Sequence, residues 1–448
     1  MNTRMIKRSV LAAFVLLPLT IEYAPGQAAL PPFAASGDAD SLTLKHIIER
    51  VVSTHPTVKD AEEAINNANA RIGLAKTGYY PVANVEAGYT NLQPVVKLSL
   101  PDVGSFQLYP SNNYSAALNF RQVIYDFGRT RKSVEFENMN KNIGEQALEQ
   151  VKQKMSMLAV NNYYTLVFLQ AAIRIKDEEI STLQEHLEQV EKMMATGSAT
   201  EYQVLSTRVK ISTVEGQKVE LIAALTAQQA FLNSMIGNDM NEKPTVINDL
   251  SVELPQVQPD SLLSYAYHNR DEVLLNEKKA TLAELRYGMV RLQNKPMLSF
   301  QASAGAKNGY IPDINKLKPN YVVGVGLRIN VFDGNRTRYN LAQAQSAITS
   351  LSFESDNTRR NVSNELTEAE AYMHAAETKI GQFGLQLQQA LKAYSLAQTS
   401  YKSGVITNLD LLDANTSLSE SKLLLLKARI DYAASIYSLK AALGERIY

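Results

Sequence analysis

The sequence predicts an α+β membrane protein with an internal twofold repeat, in which very long helices alternate with pairs of short strands. Three observations lead there. First, motifs recur at one spacing: Ile124-Tyr125-Asp126 with Arg129-Thr130-Arg131 returns as Val331-Phe332-Asp333 with Arg336-Thr337-Arg338, an offset of 333 − 126 = 207. Gly197 and Thr200 return as Gly404 and Thr407, and Leu232 to Gly237 as Leu439 to Gly444, at the same offset. A register held over that distance means duplication of a structural unit. Second, no proline occurs from Ser111 to Lys243 or from Asn320 to Tyr448, and both runs are rich in good helix formers. Third, segments before each long helix alternate with the period of a strand.

Along the chain, residues 1–28 read as a secretory signal. Arg4, Lys7 and Arg8 precede an apolar run from Val10 to Leu19, and Gly26-Gln27-Ala28 offers small residues for cleavage. Residues 29–246 form the first repeat, 247–260 a linker, and 261–448 the second repeat. Within the first repeat, Gly128 to Ala195 predicts a helix about 100 Å long at ~1.5 Å per residue. In the second, Leu418, Leu425, Tyr432 and Leu439 repeat every seven residues, interleaved with Ser421, Ala428, Ser435 and Ala442. Large residues facing small ones permit close helix contact. Flanking Leu423, Leu424, Leu426 and Ile436 widen the stripe, so this helix wants neighbours on both sides.

Each long-helix region breaks once, at Thr196 to Thr200 and Ser403 to Thr407. Glycine supplies a left-handed stop and threonine the next N-cap, giving two helical hairpins with tight tips. Thr200 with Gln203 spells a capping box, and Thr407 with Asp410 a looser one.

The strands precede these hairpins. Tyr114, Ala116, Leu118 and Phe120 share one face, as do Leu298, Phe300, Ala302 and Ala304, and Tyr321, Val323, Val325, Leu327 and Ile329; Asn84 to Thr90 is a weaker fourth case. Apolar residues outward with small or polar ones inward is the pattern of a transmembrane barrel strand, with a soluble sheet as the alternative reading. Four strands cannot close a barrel by themselves and would leave open edges unless other chains complete the ring. Leu92 to Asn113 and Asn308 to Asn320 carry the prolines of surface loops, the first strand pair being longer by eight residues.

Composition narrows the function. With 45 basic and 45 acidic residues the net charge is zero, which gives no support for nucleic-acid binding. There is no cysteine, hence no disulfide, thiolate metal site or lipidated cysteine. Beyond the signal no window is apolar enough for a spanning helix, so membrane insertion requires a closed barrel. His46, His55, His186, His268 and His374 lack metal-ligand spacing, and no catalytic set is discernible; no cofactor is expected. Asp126-Phe127-Gly128 spells a kinase motif without its partner motifs and recurs as Asp333-Gly334, so it reads as a helix cap.

The ordered set resembles the TolC-like outer-membrane efflux protein family. Its carriers are Tyr125-Asp126 and Phe332-Asp333 with their following Gly and Arg, Tyr401-Lys402-Ser403-Gly404, Leu409 to Ala414, His55-Pro56 and Asn269 to Glu272. The resemblance implies a homotrimer in which four strands per protomer close a twelve-stranded barrel, continuous with a periplasmic helical barrel. It implies a passive exit duct for efflux or type I secretion in a Gram-negative outer membrane. A periplasmic adaptor, an inner-membrane transporter and outer-membrane lipid would be its partners. The rival reading is a non-conducting structural or adhesive stalk.

The resemblance also assigns residues. Asp410 and Asp413 fall where the family narrows its pore, and at i and i+3 they share a helix face; Tyr401 belongs to the gate. The first tip has Gln203 and Ser206 in place of that pair, and Ile406 where relatives often carry arginine. The tips, Gly197, Ser198, Ala199 and Thr200 with Gly404, Val405, Ile406 and Thr407, are expected to meet the adaptor. At the barrel-to-helix junction Asp126 and Asp333 cap helices, while Arg129, Arg131, Arg336 and Arg338 face headgroups or solvent.

Overall fold

The computed structural model describes residues 42–101, 104–255 and 261–448, so the basic-apolar N-terminal segment and the end of the predicted linker lie outside it. The first half runs α1 (Leu44–Thr54), α2 (Pro56–Lys76), β1 (Val82–Asn91), β2 (Lys97–Leu100), β3 (Gly104–Gln107), β4 (Asn112–Tyr125), α3 (Arg129–Ala195) and α4 (Glu201–Ile236). The second runs α5 (Leu262–Asn269), α6 (Asp271–Arg291), β5 (Met297–Lys307), β6 (Lys318–Arg328), α7 (Arg336–Lys402) and α8 (Asn408–Leu443). Helices α3 and α7 both have 67 residues, and α4 and α8 both have 36. Their first residues differ by 336 − 129 = 207 and 408 − 201 = 207, the spacing of the motifs. Among the described residues no helix is long and apolar enough to cross a membrane.

All four main strands lie in one antiparallel sheet ordered β1-β4-β5-β6, so the two halves join through β4 and β5. The register aligns one apolar row across the sheet: Val85 opposes Leu118, Leu118 opposes Ala304, and Ala304 opposes Tyr321. Val323 and Val325 continue it opposite Ala302 and Phe300. The other face carries Asn119, Ser303 and Val322, then Ala117, Gly305 and Asn320. Gly305 is required by proximity, because a Cβ there would sit 2.1 Å from the Ala116 carbonyl oxygen. The eight extra residues of the first half are not wholly irregular loop. They contribute a separate ribbon in which Leu98 opposes Phe106.

Both tips end with glycine at positive φ, 77° at Gly197 and 71° at Gly404. Ser198 N donates to Met193 O (2.8 Å) and Val405 N to Ser400 O (2.9 Å), closing the two helix ends alike. The N-caps that follow reverse the expectation. Thr407 and Asp410 form a complete reciprocal capping box, whereas the Thr200 side chain makes no cap bond. Gln203, which would have completed the first box, instead turns its Oε1 to the Tyr401 hydroxyl, 3.4 Å away.

The main core lies where α1, α3, α4 and α8 meet, with Ile47, Val51, Tyr163, Leu166, Leu232, Ile236 and Ile430 buried together. Every member of the seven-residue seam on α8 is buried except Tyr432, which is partly covered. Burial is unequal between the halves: α3 shields twenty of its side chains and α7, of equal length, only seven. Beneath α6 lies an ionic knot. Arg446 grips buried Asp271 with two bonds (2.6 and 2.8 Å), and Gln146 of α3 donates to the same carboxylate (2.6 Å). Neighbouring Arg270 reaches Glu272 (2.9 Å), Glu365 (2.5 Å) and the closing carbonyls of α8 at Ala441 and Ala442.

Candidate functional site

The predicted site residues fall into two groups at opposite ends of the long helices. At the tips, Gly197, Ser198, Thr200, Gly404, Val405 and Thr407 are exposed, while Ala199 and Ile406 tuck partly against Val190, Val204, Tyr401 and Leu411. Tyr202, Val405 and Leu409 leave large apolar surface uncovered there. Asp410 and Asp413 both point away from the buried side of α8, which Leu411, Leu412 and Asn415 occupy. Asp410 Oδ2 accepts from Thr407 Oγ1 (2.7 Å) and Thr407 N (2.8 Å). The Thr407 hydroxyl, then its backbone N–H, hold the Asp410 carboxyl below its ordinary range. The capping role and a place on an uncovered acidic face therefore coexist in one residue.

Tyr401 is buried rather than displayed, and burial pushes its phenol up. Beside it lies a residue that sequence reasoning considered only as a metal ligand: His186, edge-on to Tyr401 at 5.1 Å between ring centres. Its Nε2 is 2.6 Å from Asn408 Oδ1. A signal was present, since His186 follows Leu183 by three and precedes Val190 by four, on the buried stripe of α3. Gln203 and Ser206, which replace the second tip's carboxylates, both serve as polar links across the hairpins: Ser206 Oγ accepts from Asn408 Nδ2 (3.1 Å).

At the junction, each aspartate holds the start of a long helix. Asp126 accepts from Gly128 N (3.0 Å), Thr130 N (2.7 Å) and Thr130 Oγ1 (2.5 Å). Burial works to raise its pKa, but the Thr130 and Gly128 bonds outweigh it and the value falls. Asp333 accepts from Thr337 Oγ1 (2.5 Å), Asn294 Nδ2 (2.9 Å) and Thr337 N (3.0 Å), and these bonds, the Thr337 hydroxyl first, lower it to about 2. Both aspartates precede a pair of left-handed residues, Phe127-Gly128 and Gly334-Asn335. Since the folded pKa is depressed, this contribution is complete above the ordinary aspartate value and disappears as pH falls toward 2. Asp333→Asn is accordingly expected to lower the thermal midpoint at pH 6 and to make progressively less difference in melts taken down to pH 2.

The arginines divide. Arg129 is half-buried and its Nη2 donates to Gln293 O (2.8 Å), Leu292 O (3.0 Å) and Lys295 O (3.4 Å), closing the end of α6. This link to α6, 163 residues away in sequence, adds a helix-closing contact to its place at the junction. Arg131 pairs with Glu135 (3.0 Å) on its own helix, while Arg336 and Arg338 are exposed.

Comparison with known proteins matches residues 47–238 and 262–445 to the family described as outer membrane efflux protein. Among curated relatives, the alkaline protease secretion protein AprF of Pseudomonas aeruginosa is 23% identical over 348 residues, 74% of this chain and 70% of that one. The solvent efflux pump outer membrane protein SrpC of Pseudomonas putida is 24% identical over 312 residues, 66% of this chain and 64% of its own length. The solved structure of the outer membrane protein VceC from Vibrio cholerae superposes with a TM-score of 0.75 at 19% identity, covering 90% of this chain and 97% of that one.

Proposed function

The chain belongs to the outer membrane efflux protein family and is an outer-membrane channel of the periplasm-spanning kind, and from that premise we propose that three copies form the exit duct of a tripartite efflux or type I secretion system. The observation that carries the trimer is the sheet. Strands β1 and β6 each pair on one side only, and an unpaired backbone group in hydrocarbon costs several kcal/mol. Pairing β6 of one copy with β1 of the next removes every free edge. The helices support the same assembly. On α4, Tyr202, Leu205, Val209 and Val219 follow a seven-residue seam yet are exposed, as are Tyr372, Leu385 and Leu396 on α7. These faces suit a neighbouring copy.

Small and polar residues on the inward face of the sheet, Ser115, Ala117, Ser303, Gly305 and Gly324, favour an open lumen over a solid stalk. The family and its relatives are channel proteins, and the chemistry of export belongs in this reading to an inner-membrane transporter reached through a periplasmic adaptor. The exposed tips around Gly197 and Gly404 are the surfaces offered to that adaptor.

In the trimer, Asp410 and Asp413 make two stacked rings of carboxylates at the narrow end, a cation-selective constriction. Mass determination in detergent together with planar-bilayer conductance tests the reading: a conducting trimer supports it, and a monomer without conductance defeats it. Asp410→Ala with Asp413→Ala is expected to raise single-channel conductance and remove most of the block by divalent cations. Unchanged currents and unchanged block would place the constriction elsewhere.

A further inference from the structure

Four helices meet at one buried amide just inside the tips. Asn408, the first residue of α8, is 4% exposed. Its Nδ2 donates to Ser206 Oγ (3.1 Å), Thr207 Oγ1 (3.3 Å) and Gln203 O (3.4 Å), all on α4. With the nitrogen committed to those acceptors, Oδ1 is the atom facing His186 of α3 at 2.6 Å. The imidazole Nε2 therefore donates, and Nδ1 keeps its lone pair. Tyr401 of α7 packs edge-on against the same ring and donates to Gln203 Oε1. The node lies four residues beyond Gly404, where any outward movement of the second hairpin must pull it apart.

We propose that His186 and Asn408 form an acid-releasable latch, in which the neutral imidazole fits the closed site, holds Asn408 against α4 and keeps the second hairpin seated on the first, whereas a protonated ring, though it still donates to Asn408, is a buried charge that favours parting of the hairpins so that water can reach it. This rests on the channel reading above and supplies the closing contact of that gate. Protonation would place a cation, with a new Nδ1–H, in a site that is 9% exposed. Nothing ionised compensates it from the helices that cover the ring. α8 presents Asn408, Leu411, Leu412 and Asn415, and α4 presents Gln203, Ser206 and Thr207. From α7 come Tyr394 and Tyr401, neutral phenols whose pKa burial raises further, and Lys402. Glu185 of α3 and Lys402, one charge of each sign, stand on the exposed rim of a cavity of about 60 Å³ beside the ring. The rim also includes Gln189 and Gln398, so protons reach the site from solvent.

The sign follows. Burial lowers the His186 pKa, against a weaker opposing effect of the Asn408 bond. The closed arrangement thus binds the proton less well than an opened one. Its advantage is whole above the ordinary histidine value of about 6.5 and declines as pH falls through the depressed one. Each unit of difference in pKa is worth about tenfold in the closed-to-open ratio per protomer.

The test is planar-bilayer conductance of the purified full chain between pH 8 and pH 5. Wild type is expected to show an open probability rising at least about tenfold on acidification. His186→Gln, whose amide still donates to Asn408, should remain closed across the range, and Asn408→Leu should remain open at both extremes. A wild type that conducts without acid response, or a His186→Gln channel that keeps the full response, overturns the latch alone. If neither wild type nor Asn408→Leu conducts at any pH, the channel reading fails and the latch with it.

Discussion

Val323→Arg is expected to eliminate the proposed trimer from outer membranes. Val323 sits midway along β6 on the exposed apolar row, opposite Ala302. An arginine at the hydrocarbon midplane of a barrel costs about 2–4 kcal/mol, and threefold repetition brings about 6–12 kcal/mol, the scale of a domain's whole stability. Val322 is the control, since it lies on the opposite face against Ser303. Val322→Arg should still assemble and should change the size or ion preference of the pore. Semi-native gel mobility with and without heating distinguishes the two. Equal assembly of both variants would mean that the apolar row faces something other than lipid.

The second large effect is expected at Asp271. Asp271→Ala leaves Arg446 and the Gln146 amide facing one another across a buried gap, with Lys278 already donating to Gln146 Oε1 (2.7 Å). Stranding one partner of a buried pair costs about 3 kcal/mol or more. The guanidinium side chain is 37% exposed, so solvent softens the penalty and the lower end is the proper expectation. Urea unfolding of the purified protein reads it. Arg446→Met on top of Asp271→Ala should restore part of the loss, and strict additivity would show that the pair does not act as a unit.

Both experiments depend on features of different legibility. The strand faces and helix limits were open to reading, because alternation and proline-free runs are local properties and the offset between Asp126 and Asp333 repeats them independently. The ends at Gly197 and Gly404 announced themselves for the same reason: a left-handed turn needs that residue there. What escaped was set by neighbours distant in sequence. The first capping box failed because Tyr401, 198 residues away, draws off Gln203. The three carbonyls that the end of α6 offers Arg129 come from residues more than 160 positions away. His186 and Asn408, 222 residues apart, have no spacing that a linear pattern could reveal. Likewise the β2–β3 ribbon hides among prolines that suggested loop.

The lopsided covering of the two 67-residue helices has a consequence for biogenesis. A single copy satisfies α3 with its own chain but leaves α7 largely wet, so in the proposed trimer much of that helix's stabilisation arrives only through mass action with two sisters. Stability should therefore climb with protein concentration, and a dilute solitary subunit should be the species that periplasmic proteases find first.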